Sequence, residues 1–474
     1  MKKSIAALAS GVVLMAGCSD NPVTNPVDSP TVNQVSGALT RSALQTLVTG
    51  VLAQGRASYG SNTNYIILSE VMARDLYRID ASEQRYVTET LGGNPDPGSF
   101  AGGATSWNNS YVEQRAISSI LLGLPGAAST ELSASEKAAT SGFLRTTKAV
   151  SLYRQIELRD TAGVVIQGSD PNAVDPIVCK TKALAYVAAL LDSANADFTA
   201  AGATTALPFK LPGGLTGYGV DYSKVSNLVL YNRGWKGKVD LYRSLDHQAP
   251  AAGAAAAAVT ELTQALGGAA AGAVPPSTFA NGAYWNFVPG GTENAPNILV
   301  DAKIGINPLV KDSVMAGDTR ASKIVALPST ISGFGLTTSY TYVNALATNA
   351  SNLSKPIPML KIEELVLLRA QAYIETGDLT SARADINDVR TNYGLAAYTT
   401  PFASKSAAID AVLYEKRYSL LAEGPQRLVD LRAYSRLNGT YLRKETANDV
   451  FASAFPIPKG EADARNNQTA PSCS

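Results

Sequence analysis

The sequence predicts a mostly α fold, a tetratricopeptide-like array of helical hairpins carrying one loop-rich irregular part. Three observations support this. Apolar residues recur at helical spacing in a series of separate segments. Short Gly-, Pro- and Ser-rich connectors divide those segments. From Pro275 to Lys355 the texture changes to short strand-like runs rich in Gly, Pro, Asn, Ser and Thr.

At the N-terminus, Lys2 and Lys3 precede an apolar run from Ile5 to Ala16 that ends at Gly17-Cys18. A basic start, an apolar stretch too short to span a bilayer and small residues before the cut make residues 1–17 a signal peptide. Met15-Ala16-Gly17-Cys18 resembles a lipobox, which implies cleavage before Cys18 and a diacylglycerol on its thiol; the alternative is a plain secreted protein with a chance cysteine. Residues 18–35, rich in Pro, Asn, Thr and Ser, read as a flexible tether. No aspartate directly follows Cys18, so inner-membrane retention is not indicated. No second long apolar stretch follows, so the chain is expected to be anchored to a membrane without crossing it.

The body, residues 36–474, divides by texture into three parts. The first, 36–205, carries helical patterns over 37–54, 65–76, 108–122, 136–158 and 180–199. Trp107 stands ahead of the third of these and reads as an aromatic packed between helices. The second part, 206–355, is loop-rich and is expected to face a ligand, although 224–245 and 254–266 still read as helices. Its aromatics keep company with amides, as in Asn281-Gly282-Ala283-Tyr284-Trp285-Asn286-Phe287. Ring faces can cover the apolar side of a pyranose while amides hydrogen-bond its hydroxyls, so Tyr284, Trp285, Phe287, Tyr218 and Tyr222 are the candidate ligand contacts. Plain packing over the helices is the competing reading. The third part, 356–474, opens with the clearest hairpin of the chain. Gly377-Asp378-Leu379 forms its turn, small residues Ala370 and Ala382 let the helices approach, and Gly377 is placed to take the positive φ of a C-cap.

Beyond that hairpin lies Ala407 to Arg432, where Ile409, Val412, Leu413, Leu420 and Leu421 share a helical face and Gly424-Pro425 breaks the helix. On physical grounds alone its charged residues could be an ordinary solvated face with weak surface ion pairs. However, the run Glu415, Lys416, Arg417, Leu420, Glu423, Gly424, Arg427, Asp430, Leu431, Arg432 resembles the C-terminal signature of the SusD/RagB family. It departs from the usual pattern by Ser419 in place of a second glutamate and by one extra residue between Gly424 and Asp430. The preceding hairpin and the later Phe455-Pro456-Ile457-Pro458, Glu461 and Asn466-Asn467-Gln468 resemble the family in order and spacing as well.

The resemblance implies a SusD-like α/α superhelix and a surface lipoprotein of the outer membrane. Such a protein captures a glycan or oligosaccharide, or another polymer fragment, and passes it to a TonB-dependent (SusC-like) transporter without breaking a bond. It implies a structural role for Glu415, Arg417, Glu423, Gly424, Arg427, Asp430 and Arg432. A lipid-anchored tetratricopeptide-like scaffold that binds only proteins is the alternative from another class, and a surface hydrolase is a third.

Composition removes several other classes. With 40 Lys+Arg against 39 Asp+Glu there is no electrostatic case for nucleic acid. His247 is the only histidine and has no nucleophile elbow near it, and no HExxH, Cys/His cluster or P-loop occurs, so neither a metal nor a cofactor is expected. The acids of the signature stand among arginines, which should lower their pKa values and disfavour a general acid. Cys179 and Cys473 remain for a disulfide, which an exported, oxidising setting permits and which would pin the C-terminal tail.

Overall fold

A computed structural model describes residues 39–59, 65–168, 170, 173–290, 295–446 and 449–465. The signal peptide, Cys18, the tether and Cys473 lie outside the described residues.

Helices α1 (Arg41–Tyr59), α2 (Tyr65–Met72), α3 (Arg85–Thr88), α4 (Ala104–Gly123), α5 (Ala134–Arg159), α6 (Lys180–Ala201) and α7 (Val225–Ser244) make up the first half. The second half carries α8 (Ala254–Ala265), α9 (Pro308–Asp312), α10 (Ile362–Thr376), α11 (Leu379–Asn392), α12 (Lys405–Ser419), α13 (Gln426–Ala433) and α14 (Lys459–Ala464). The long helices pack as successive neighbours, α5 on α6, α6 on α7, α7 on α8, α8 on α10, α10 on α11 and on α12, which is the expected hairpin array. Local signals explain their ends. Ser133 caps α5 in a reciprocal box with Glu136, Asp378 caps α11 through the Ser381 N–H, and Gly377 closes α10 at φ +87°.

Three helices differ from the sequence reading: α4 starts at Ala104, four residues earlier than expected, so that Trp107 lies inside it. Helix α1 starts four residues later and runs on to Tyr59. Helix α2 stops at Met72 rather than Leu76, because Arg74 turns left-handed at φ +64° and Leu76 begins a strand. The Arg74 guanidinium is held 2.9 Å from Asp449, which stabilises that uncommon backbone.

The strands form small antiparallel pairs. β1 (Leu76–Arg78) joins β5 (Ile304–Ile306), and β2 (Val164–Val165) joins β3 (Ile177–Val178). β4 (Gly282–Trp285) joins β8 (Ile357–Lys361) with an irregularity at Ala283/Tyr284, and β6 (Ile324–Gly333) forms a hairpin with β7 (Leu336–Tyr342). The pair β4–β8 ties the loop-rich part to the start of α10.

One core lies among α1, α2, α4 and the strands, including Leu44, Val48, Ile66, Ile67, Ile117 and Ile306. Another fills the space between α5, α6, α7 and α8, and a third lies within α10, α11 and α12 around Val366, Ala370, Ala382, Ile386 and Val412. Trp107 is buried as expected, against Tyr111 with ring centroids 4.6 Å apart. Helix α5 departs from simple amphipathicity. From Lys148 to Arg159 every residue is buried, Arg154, Glu157 and Arg159 among them. Among the described residues no helix is long and apolar enough to cross a membrane.

Candidate functional site

The aromatic residues singled out by sequence come together where the loop 212–222 lies over β4. The Gly282 N–H donates to the Tyr218 carbonyl at 3.0 Å, and the Tyr222 N–H to the Leu215 carbonyl at 3.0 Å. Gly214 makes this approach possible, since a Cβ there would fall on the Tyr284 carbonyl oxygen. Tyr218 and Tyr284 stack at 4.4 Å with planes 33° apart, and the Tyr218 hydroxyl donates to Asn286 Oδ1 at 2.6 Å.

These residues do not form an open platform. Tyr222, Tyr284, Trp285 and Phe287 are buried, and only Tyr218 is partly exposed. Composition singled out these residues but cannot say that the two stretches meet or which way their rings point. β4 is buried along its length because both its neighbours, β8 and the 212–222 loop, cover it.

Behind the cluster, Tyr222 and Trp285 reach a small cavity of about 20 Å³, room for little more than a water molecule or a small ion. Leu52 of α1, Glu113 of α4, Phe143, Thr147, Val150 and Arg154 of α5, and Leu228 and Tyr231 of α7 complete most of its wall. The Arg154 guanidinium lies over the Tyr59 ring at 4.2 Å and 5.6 Å from the Trp285 ring. Burial pushes the Glu113 carboxyl up to about 7, against the opposing pull of Ser151 and Arg154. Sequence reasoning passed over Arg154 and Glu113; charged and apolar residues alternate along that part of α5, so nothing in the pattern marked Arg154 out.

The signature residues build a second polar centre, inside the fold. Glu415 on α12 meets Arg320 at 2.6 Å and Arg390 at 3.0 Å, and Arg320 also holds Asp318 at 2.8 Å. Ser419, the departure from the usual pattern, fits here because its Oγ accepts from Arg320 at 3.0 Å. Lys416 pairs with Asp430 at 2.6 Å, while the Tyr242 hydroxyl and the Gln371 amide both donate to Asp430 Oδ1 at 2.8 and 2.9 Å. Arg417 reaches back to Asp75 at 2.6 Å, and Glu423 takes Lys361 at 2.7 Å. Arg432 donates to the Ser453 carbonyl at 2.9 Å and to the Glu157 carbonyl. Burial, reinforced by the Arg417 charge, brings the Arg427 guanidinium down to about 10. Gly424 and Pro425 lie in the break between α12 and α13.

One expectation about this centre needs correcting. The arginines do not leave Glu415 with a lowered pKa. Complete burial raises it despite Arg320 and Arg390, because desolvation of the carboxylate exceeds their pull. Both oxygens are nonetheless occupied by guanidinium groups, so Glu415 has no free face for acid catalysis. His247 is exposed, with Nε2 3.3 Å from the Arg432 carbonyl. Among the described residues no group of His, Cys, Asp and Glu could hold a metal ion. Cys179 sits at the N-cap of α6.

A superhelix of hairpins, closed by a buried ion-pair centre and overlaid by a loop-and-strand part, defines the architectural class. Residues 328–471 match the family model described as SusD family. The same fold occurs in a SusD superfamily protein from Bacteroides thetaiotaomicron VPI-5482, 16% identical, over 91% of this chain and 100% of that one at TM-score 0.64. B. fragilis NanU is 15% identical over 93% and 98% of the two chains at TM-score 0.64. A laminarin binding SusD-like protein is 14% identical over 89% and 97% at TM-score 0.62. No curated protein matches the chain. Residues 328–471 thus carry the SusD-family signature, and the chain shares the fold of the SusD superfamily proteins.

Proposed function

We propose that the protein is a cell-surface, nutrient-binding lipoprotein. It is lipidated at Cys18 in the outer membrane, captures a glycan or oligosaccharide, and delivers it to a TonB-dependent, SusC-like transporter. The observation that carries this reading is the SusD fold over about nine-tenths of the chain, preceded in the sequence by a lipobox-like motif. The glycan class is supported by the names of proteins with the same fold, one a laminarin binding SusD-like protein and one a SusD-like carbohydrate binding protein from Bacteroides vulgatus. Binding proceeds by stacking and hydrogen bonds with no bond broken, and Tyr218 is the candidate contact at the surface. A disulfide from Cys179 to Cys473 would tie the tail to the start of α6.

The test is a pull-down from detergent-solubilised outer membrane with the chain tagged at its C-terminus. Recovery of a large TonB-dependent β-barrel in stoichiometric amount is the expected result, followed by binding on a glycan array. Recovery of soluble partners alone would move the reading to a protein-binding scaffold.

A further inference from the structure

Protein interiors are close-packed, so a hollow lined by unused hydrogen-bond donors needs an explanation. The cavity behind β4 is such a hollow. Arg154, Trp285 and Glu113 in its wall are 5%, 5% and 2% exposed. Arg154 Nε and Nη2 and Trp285 Nε1 have no hydrogen-bond partner, and among the described residues no carboxylate forms an ion pair with Arg154. An ion left uncompensated inside a protein costs several kcal/mol; Arg320 and Arg369, equally buried, have carboxylates beside them.

The one acid in the wall does not fill the gap. Glu113 is turned toward Gly55 of α1, where a Cβ would strike its Oε1. The titratable groups around it are Arg154, Tyr222 and Tyr231 in the wall and Tyr59 behind Arg154. With its carboxyl pushed up to about 7, Glu113 is mostly protonated in mildly acidic solution and leaves the guanidinium charge unanswered.

We propose that this cavity is a binding site for a carboxylate-sized monoanion, held by the Arg154 guanidinium and the Trp285 indole N–H and walled by the rings of Tyr222, Tyr231 and Phe143. A carboxylate accepts from a guanidinium in fork geometry and takes a further donor on its outer lone pairs. A hollow of this size admits an anion no larger than formate or a halide and excludes a sugar ring. This inference stands independently of the transporter reading, because it concerns an internal site with its own donors.

The experiment titrates the full mature chain at pH 6 and constant ionic strength with sodium formate and with sodium glucuronate. Tryptophan fluorescence and thermal midpoint are followed. Saturable binding of formate is expected, weakened at least tenfold by Arg154→Met and weakened in the wild type at pH 8.5, where Glu113 ionises. Glucuronate, too large for the hollow, is expected not to bind there; glucuronate binding as tight as formate would place the anion outside the hollow and overturn the proposal. Because Arg154→Met could unfold the chain, wild-type crystals soaked in sodium bromide give a second reading. An anomalous peak within hydrogen-bonding distance of Arg154 and Trp285 is expected. Ordered water alone in the cavity, or anion binding that Arg154→Met leaves unchanged in a folded chain, would overturn the proposal.

Discussion

Glu415 Oε2 and Arg320 Nη2 lie 2.6 Å apart with neither side chain exposed, and Arg390 occupies the other carboxylate oxygen at 3.0 Å. Removing the acid would leave two guanidinium groups facing each other in the interior with only Asp318 to answer them. Glu415→Ala is therefore expected to cost about 3 to 5 kcal/mol, read as a fall in the urea midpoint. Glu415→Gln, which keeps the shape and one acceptor, should lose less. Equal stability of Glu415→Ala and wild type would show that the centre is not holding α12 in place.

The buried Glu113 carboxyl makes stability depend on pH in a defined direction. Its pKa rises from 4.5 in the unfolded chain to about 7 in the fold, so the unfolded state loses its proton first as pH rises. The contribution is fully present below about 4.5 and is lost as pH climbs through about 7, on the order of 3 kcal/mol in total. Unfolding curves at pH 5 and pH 8 check this. Glu113→Gln should flatten the difference between them, and an unchanged slope in that variant would assign the dependence elsewhere.

Two glycines should respond to alanine for different reasons. Gly377 has open space where a Cβ would stand but a φ of +87°, so Gly377→Ala should cost about 1 kcal/mol from backbone strain, and Gly377→Asn less. Gly214 has no such constraint on φ but lies against the Tyr284 carbonyl. Gly214→Ala must push the 212–222 loop off β4, a cost of about 1–3 kcal/mol, and should also alter ligand affinity. Thermal melts of the two variants alongside glycan titrations separate the cases.

The cluster at β4 makes a sharp distinction between its members. Tyr218→Ala, at the partly exposed edge, should weaken glycan binding roughly fivefold, the worth of one stacked ring of about 1 kcal/mol, and lower stability by only about 1–2 kcal/mol through the lost Tyr284 stacking and Asn286 hydrogen bond. Phe287→Ala, 2% exposed, should cost about 3–5 kcal/mol in stability. If Tyr218→Ala binds like wild type, the glycan contacts lie on another face.

Much of this architecture is legible from local pattern. The spacing of Ile362, Leu365, Val366 and the turn Gly377-Asp378 specify α10, α11 and their junction, because helix periodicity and capping are near-neighbour physics, but not that 357–361, expected to open the hairpin, is the strand β8. The partners of the signature are not legible in that way. Nothing around Asp75, Arg320 or Lys361 says that each will meet a residue of 415–423, since those pairings are made by tertiary closure. The orientation of Trp285 and Tyr222 fails to show for the same reason. A ring bound for a glycan and a ring bound for the interior have the same composition, and only the cover supplied by β8 and the 212–222 loop decides between them. Arg154 was hidden differently, in a helix segment whose apolar neighbours give no sign that a charge is left without a partner.

The reach of Arg417 to Asp75 spans 342 residues, and that of Arg320 to Glu415 spans 95. Because a chain emerges N-terminus first, Asp75 and Arg390 must wait for their partners, and Arg320 for its second carboxylate, until the last eighth of the sequence arrives. Contacts of such separation slow closure and make it all-or-none. The signature thus acts as a completion lock, and a chain truncated before residue 415 would leave Asp75 and Arg390 without their ion-pair partners, open to solvent and to any protease that samples unfinished products.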